Sequence, residues 1–242
     1  MIDRRTVLTV LGAAAAASAL PVRAAQTQEK IAVIGTGHLG QALAKGWVRA
    51  GHRIIYGSRT PDEDRVKKVV SDTGSGTTAT SVKEAAAQAD IVVLALPWKG
   101  AKELLPAMGD LAGKIVMDPM NSGKFANGYI APDEEITTSI GEELQTRVPN
   151  AKVVKAFNTP AVYNVIDPKR AGGHVSIPLA GADVGAKARV AALVTDLGLD
   201  PVDTGPMIAA RYLEGMERLS FGYYLYQKRA RSFEFYLAPV KS

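Results

Sequence analysis

Gly35, Gly37 and Gly40 stand at the spacing G-x-G-x-x-G inside IAVIGTGHLGQALAKG, residues 31–46. The apolar residues before them read as a buried strand, and those after them as a helix. In that setting each glycine has a mechanical task. Gly35 permits a tight turn, Gly37 leaves the backbone bare for a diphosphate, and Gly40 lets helix and strand pack closely. The helix N-terminus adds unpaired N–H groups and a partial positive charge. The chemistry these residues can do is the holding of a dinucleotide.

The end of the second strand selects which dinucleotide. An acidic residue there serves the free ribose hydroxyls of NAD. Here the chain reads YGSRTPDED, with Ser58 and Arg59 at the strand tip. A hydroxyl donor and a guanidinium suit a 2′-phosphate, so NADP is expected over NAD. Asp62, Glu63 and Asp64 follow closely and work against it.

Groups for acid–base work are scarce. Beyond the N-terminal leader discussed below, the histidines are His38, His52 and His174. None has a recognisable carboxylate orienter, and each reads as structural or solvent-facing. Lys155 precedes an AFNT turn and could polarise a carbonyl, but at a sheet end it reads as a surface charge. No His/Asp/Glu cluster has metal-ligand spacing. The absence of cysteine excludes thiol chemistry, thiolate-bound metal and disulfide stapling.

The elements that must position these residues alternate along the chain. EKIAVIG, HRIIYGS, ADIVVLALP, GKIVMDP, AKVVKAF and HVSIPLAG read as strands, with a shorter one over 77–80. Helical patterns lie between them: 39–50, 61–71 with Pro61 in the first turn, one running through Ala89, one ending at Arg147, and 186–196. Nearly all-apolar strands separated by helices indicate right-handed βαβ units and a parallel sheet covered on both faces. The fold class expected is α/β, a doubly wound Rossmann sheet over residues 25–205, with a helical extension over 206–242. The tail from Met207 to Tyr236 is helical in pattern. Its stripe of Tyr212, Leu213, Met216, Leu219, Tyr223 and Tyr226 reads as core or as a homodimer contact. PMNSGKFANGYIAPDEEITTS is the longest aperiodic region, and such loops are usually functional.

IGTGHLG, YGSRTP, ADIVVLALPWKGA, KAFNTP and DTGP together resemble the NADP-dependent oxidoreductases of the coenzyme F420 type. These share their dinucleotide-binding domain with the N-terminal part of pyrroline-5-carboxylate reductases, and the cytosolic domain of six-transmembrane metalloreductases is similar. The resemblance runs from Lys30 to about Tyr226 in one motif order. It implies a phosphate loop at Thr36, Gly37, His38 and Leu39 and a 2′-phosphate site at Ser58 and Arg59. It implies that Leu96, Pro97 and Trp98 line the cofactor, that Ala156, Asn158 and Thr159 stand near the nicotinamide, and that Asn121 closes that region. The family often has a basic residue where this chain has Glu63. The cofactor implied is NADP(H), with F420 or a flavin as co-substrate.

The N-terminus, MIDRRTVLTVLGAAAAASALPVRAAQ, carries paired arginines, a mildly apolar stretch and a small-residue cleavage pattern at Val22 and Ala24. Residues 1–24 read as a signal peptide of twin-arginine type, so export to the periplasm is expected. Removing them leaves 218 residues with a net charge of about +3 from the +5 of the whole. That charge gives no reason to expect nucleic acid, and no membrane partner is expected after the signal is removed. The expected partner is a small-molecule redox acceptor.

About 35 residues follow DTGP. That suffices for a lid or a dimer contact and favours a planar, stacked redox partner over a carbonyl substrate that needs a full second domain. Two alternatives stay open: an exported dinucleotide-binding sensor or accessory protein without turnover, and a small carbonyl or imine reductase. The last requires a general acid, and none is evident.

Overall fold

A computed structural model describes residues 28–126, 129–131, 138–229 and 232–238; the expected signal peptide lies outside them. The elements in chain order begin with β1 (Lys30–Ile34), α1 (His38–Arg49), β2 (Arg53–Ser58), α2 (Asp64–Thr73), β3 (Thr77–Ser81) and α3 (Val82–Gln88). There follow β4 (Ile91–Leu94), α4 (Trp98–Leu104), β5 (Ile115–Asp118), β6 (Lys124–Ala126), β7 (Tyr129–Ala131) and α5 (Ile140–Arg147). The chain continues through β8 (Lys152–Lys155), α6 (Val162–Ile166), β9 (Ser176–Leu179), α7 (Val184–Thr195), β10 (Asp200–Asp203) and α8 (Ala210–Tyr226).

Six parallel strands form the main sheet in the order β3-β2-β1-β4-β5-β8, the doubly wound Rossmann arrangement. Register is set by apolar pairs: Ile31 stands beside Ile54 on one side and Ile91 on the other, and Ile91 beside Ile115. Side chains alternate between faces. Ile31 and Val33 pack with Leu43 and Trp47 of α1 and Val190 and Leu193 of α7. Ala32 and Ile34 pack with Ala85 and Ala86 of α3, and the same layer takes in Leu144 of α5 and Leu213 of α8. Two buried layers explain why the strands are apolar throughout. Parallel β9 and β10 extend the structure beyond β8, joined to it by reciprocal Lys155 and Ala180 backbone bonds of 2.8 and 3.2 Å.

Four expectations need correction. α2 begins at Asp64, not Pro61, because the Glu63 N–H turns back to the Thr60 carbonyl at 3.3 Å. The aperiodic region after β5 contains the antiparallel pair β6–β7, whose three-residue strands are too short to show alternation. The tail helix stops at Tyr226 instead of reaching Tyr236. Lys228 and Arg229 there adopt φ of 51° and 65°, a left-handed conformation that ends a helix. The chain then runs back extended past β9, where the Ser176 N–H donates to the Phe235 carbonyl at 2.8 Å and the Leu237 N–H to Ser176 Oγ at 2.9 Å. Finally, α4 and α6 were not legible, being only seven and five residues long. Of the aromatic stripe, Leu213 is buried while Tyr212, Leu219 and Tyr226 are exposed.

Candidate active site

The glycine loop joins β1 to α1. Gly35 has φ +114°, and a Cβ built on it falls 2.3 Å from the Ala95 carbonyl oxygen. A Cβ on Gly40 meets the Gly35 oxygen at 2.6 Å and Val33 and Ala95 side chains at 3.2 Å. Both positions are therefore closed to side chains by β1 and the end of β4. Gly37 differs: nothing lies within 4 Å of its would-be Cβ. It is the N-cap of α1, and no side chain caps that helix. The first N–H groups of α1 thus face open space, a cradle that fits a diphosphate.

At the outer end of this loop lie Ser58, half-buried, and Arg59, exposed. Ser58 Oγ accepts from the Thr60 N–H at 3.1 Å, which fixes the turn after β2. Arg65 of α2 reaches back so that Nη1 lies 3.2 Å from Thr36 Oγ1. Its own partner Glu63, at 3.4 Å, is half-exposed and weak. Arg65 brings a second guanidinium to the glycine loop. Sequence reading missed it, and it stands on the helix face turned to Thr36.

Inward from Gly37, a groove runs over His38, Leu39, Leu94, Leu96, Pro119 and Met120 at the carboxyl ends of β1, β4 and β5. This is the switch point of the sheet order, where ligands of such folds lie. Leu39 and Pro119 belong also to the next cavity, of about 370 Å³. That cavity is floored by Asn121, Asn158 and Thr159 and walled by Phe221 and Tyr224 of α8 and Phe233 of the returning tail. The structure thus brings Gly37, His38, Leu39, Leu96, Asn121, Asn158 and Thr159 into two adjoining cavities that share Leu39 and Pro119. Ala156 is fully buried below it, with its N–H on the Asp118 carbonyl at 3.1 Å. Pro97 is exposed at the start of α4, and Trp98 packs between Lys102 and Arg147, outside the residues lining the cleft.

Asn121 and Asn158 clasp each other: Asn121 Nδ2 donates to the Asn158 carbonyl at 2.7 Å, and Asn158 Nδ2 to Asn121 Oδ1 at 2.9 Å and to the Leu213 carbonyl at 2.9 Å. Asn158 Oδ1 and Thr159 Oγ1 are buried without a partner among the described residues. Buried polar atoms of this kind are rare; Thr77 Oγ1 and Asn164 Oδ1 are unpartnered as well, but of the four only those of Asn158 and Thr159 belong to residues lining this cavity, where a ligand can complete their bonding. Phe157, between them and β8, holds φ 60° while its ring packs edge-on against Trp47 at 5.9 Å. A bulky residue in that conformation stores strain, as functional turns do. These features fit a nicotinamide entering beside Asn158 and Thr159.

Below the cleft floor lies a charge cluster. The Lys155 side chain is fully buried, so its reading as a surface charge is overturned. Its ammonium donates to Asp118 Oδ2 at 2.9 Å, to the Met120 carbonyl at 2.5 Å and to Glu214 Oε1 at 2.7 Å. Glu214 also accepts from the Ile140 N–H at 2.8 Å and the Ser122 N–H at 3.2 Å, and from the Ser122 hydroxyl. Burial pushes the Asp118 carboxyl up, with Lys155 opposing and Glu214 assisting. One turn beyond Glu214, Glu217 lines the cleft, and burial pushes its carboxyl up to about 7. Sequence reading missed Glu214 and Glu217 because both sit within an aromatic helical stripe. Two of the three histidines, too, carry carboxylate partners that were not legible. His52 Nε2 lies 2.8 Å from Asp196 Oδ2, and His174 Nδ1 2.7 Å from Asp200 Oδ2. Neither lines the cleft.

A doubly wound sheet, a side-chain-free phosphate cradle at its switch point and a partly apolar cleft beyond it define a dinucleotide-binding protein of the Rossmann class. The family model for NADP oxidoreductase, coenzyme F420-dependent, matches residues 30–122. A structure from Arthrobacter sp. FB24, provisionally assigned as an F420-dependent NADP-reductase, is 32% identical with a TM-score of 0.77, over 87% of this chain and 100% of that one. The chain belongs to this family. Rat metalloreductase STEAP3 is 26% identical over 191 residues, 77% of this chain and 36% of that protein. A reductive aminase from Aspergillus terreus, solved with NADPH, shares the fold at 19% identity and TM-score 0.62, over 84% of this chain and 64% of that one. The chain spans 36–38% of the length of the curated relatives it matches.

Proposed function

We propose that this protein transfers hydride between NADP(H) and a flavin or deazaflavin acceptor. One observation carries the reading. The groove at Gly37 and His38 shares Leu39 and Pro119 with an aromatic chamber at Asn158 and Thr159, and the Arg65 guanidinium reaches Thr36 of the same glycine loop. A chamber of about 370 Å³ lies at the lower end of the range for ligand pockets and suits one ring system stacked on another. Bound there, NADPH supplies the hydride. The chain supplies the bed: the α1 amides hold the diphosphate, Asn121 and Asn158 fix the turn after β8, and α8 keeps water from the reacting face.

A panel on the purified protein tests the reading. NADPH raises the melting temperature more than NADH, Arg59→Asp narrows or reverses that gap, and F420 or FMN is reduced. Tight nucleotide retention with no turnover on any acceptor refutes it in favour of a dinucleotide-binding accessory protein. A small imine or carbonyl reductase is the second reading, favoured by the carboxyl of Glu217 in the chamber. We also propose that residues 1–24 are a twin-arginine leader, tested by N-terminal sequencing of the periplasmic fraction.

A further inference from the structure

Glu214 and Glu217 lie three residues apart on α8 and so share one side of the helix. Glu214 is spent in the buried cluster with Lys155. Glu217 lines the chamber together with Ser220, Asn121 and Asn158. Among the described residues two carboxylates line this chamber, Glu217 and Glu234. Glu234 is engaged: its Oε1 accepts from the Ala161 N–H at 2.9 Å and Asn164 Nδ2 at 2.6 Å. The Glu217 carboxyl has no hydrogen bond or ion pair among the described residues. Of the two acids lining the chamber it is the one left without a hydrogen-bond partner among the described residues.

We propose that Glu217 is a catalytic acid of this cleft, giving a proton to a ring nitrogen of the flavin-class acceptor as hydride arrives and taking it back in reverse. The proposal rests on the hydride-transfer reading. In the step, a C–H bond at C4 of the reduced nicotinamide breaks and its hydride bonds to the electrophilic ring atom of the acceptor. The O–H bond of Glu217 breaks and an N–H bond forms on the acceptor. The nicotinamide loses two electrons, the acceptor gains them, and the carboxylate regains a proton from solvent.

The surroundings raise this carboxyl so that a large share of it stays protonated up to neutral pH. Glu214 on the same helix adds negative charge, and Glu234 lines the same chamber from the tail. Arg218 and Lys155 pull the other way. Both cations are committed elsewhere: Lys155 gives its three protons to Asp118, Glu214 and Met120, and Arg218 donates to Ser122 Oγ at 3.1 Å. Desolvation therefore wins, and the group titrates at about 7, where an acid–base catalyst is most efficient.

The test compares wild type, Glu217→Gln and Glu217→Asp in three measurements. NADPH affinity by fluorescence comes first. Infrared difference spectra then follow the protonated-carboxyl band with pH, and single-turnover hydride transfer to F420 and to FMN is measured across pH. All three proteins should bind NADPH alike. The wild type should show a carboxyl band that titrates near 7 and is absent in Glu217→Gln. Hydride transfer to the acceptor should fall on the order of 100-fold in Glu217→Gln, recover in large part in Glu217→Asp, and lose its decline above pH 7. Intact NADPH binding with an unchanged rate, profile and carboxyl band in Glu217→Gln overturns the role of Glu217 alone. Absence of NADPH binding in wild type, or of transfer to either acceptor, overturns the hydride-transfer reading and the acid with it.

Discussion

The ammonium of Lys155 lies 2.7 Å from Oε1 of Glu214, joining the last strand of the parallel sheet to the helix that roofs the cleft. Asp118 at 2.9 Å completes the contact from β5. All three side chains are essentially solvent-free, so none can fall back on water. Removing one partner from such a cluster strands charge in the interior at a cost of about 3–5 kcal/mol. Lys155→Met should therefore lower stability by that amount in urea unfolding. A loss below about 1 kcal/mol would mean that the two carboxylates carry a proton and need no cation.

Gly37 separates folding from binding. An aspartate there has room for its side chain and becomes a favourable N-cap for α1. Its charge, however, sits where the diphosphate must lie. Two unit charges about 4 Å apart at an effective dielectric of about 20 oppose each other by about 4 kcal/mol. Gly37→Asp is expected to melt at or above the wild-type temperature while NADPH affinity falls by about 100-fold or more, read by calorimetry. Gly35→Ala should instead fail to fold well, because its Cβ would overlap the Ala95 carbonyl.

Arg65 makes a prediction that Arg59 alone does not. It already bonds Thr36 at the glycine loop, and under the proposed NADP reading its guanidinium is a second candidate partner for the 2′-phosphate. Arg65→Ala should weaken NADPH by about 10-fold, the worth of a charged hydrogen bond, and leave NADH nearly unchanged. Equal weakening of both nucleotides would place Arg65 at the diphosphate or in the fold instead.

The same outline of the molecule shows what sequence can and cannot disclose. β1, β2, β4 and β5 were legible because burial on both faces demands unbroken apolar runs, and Gly35, Gly37 and Gly40 because their offsets belong to one turn. Lys155 was not: its partners Asp118 and Glu214 come from other elements, and a lysine closing a strand has the same local pattern whether it meets water or a carboxylate. His52 and Asp196 hid for the same reason. The tail helix was overrun because Lys228 and Arg229 are residues that helices accept, and only their left-handed backbone reveals the break.

Glu217 ties pH to stability. In the unfolded chain a glutamate titrates near 4.5, whereas in the fold burial moves it to about 7. Between those values the folded state holds more protons, so stability falls as pH rises through that window and levels off above it. Glu217→Gln escapes this penalty. It should match wild type near pH 4.5 and exceed it at pH 8 by up to about 3 kcal/mol. Identical stability curves for the two proteins would place the titration elsewhere.

The walls of the cleft have separate origins. The nucleotide bed is made by turns locked between parallel strands, where Gly35 and Gly40 tolerate no added atom. The far wall is made by α8 and the strap over 232–238, tethered by Glu234 and Ser176. If the chamber takes the acceptor as proposed, drift among Phe221, Tyr224 and Phe233 would retune which oxidant is accepted while the nucleotide side of the molecule stays fixed. A lineage built on this scaffold would be free to swap electron acceptors without relearning how to grip its dinucleotide.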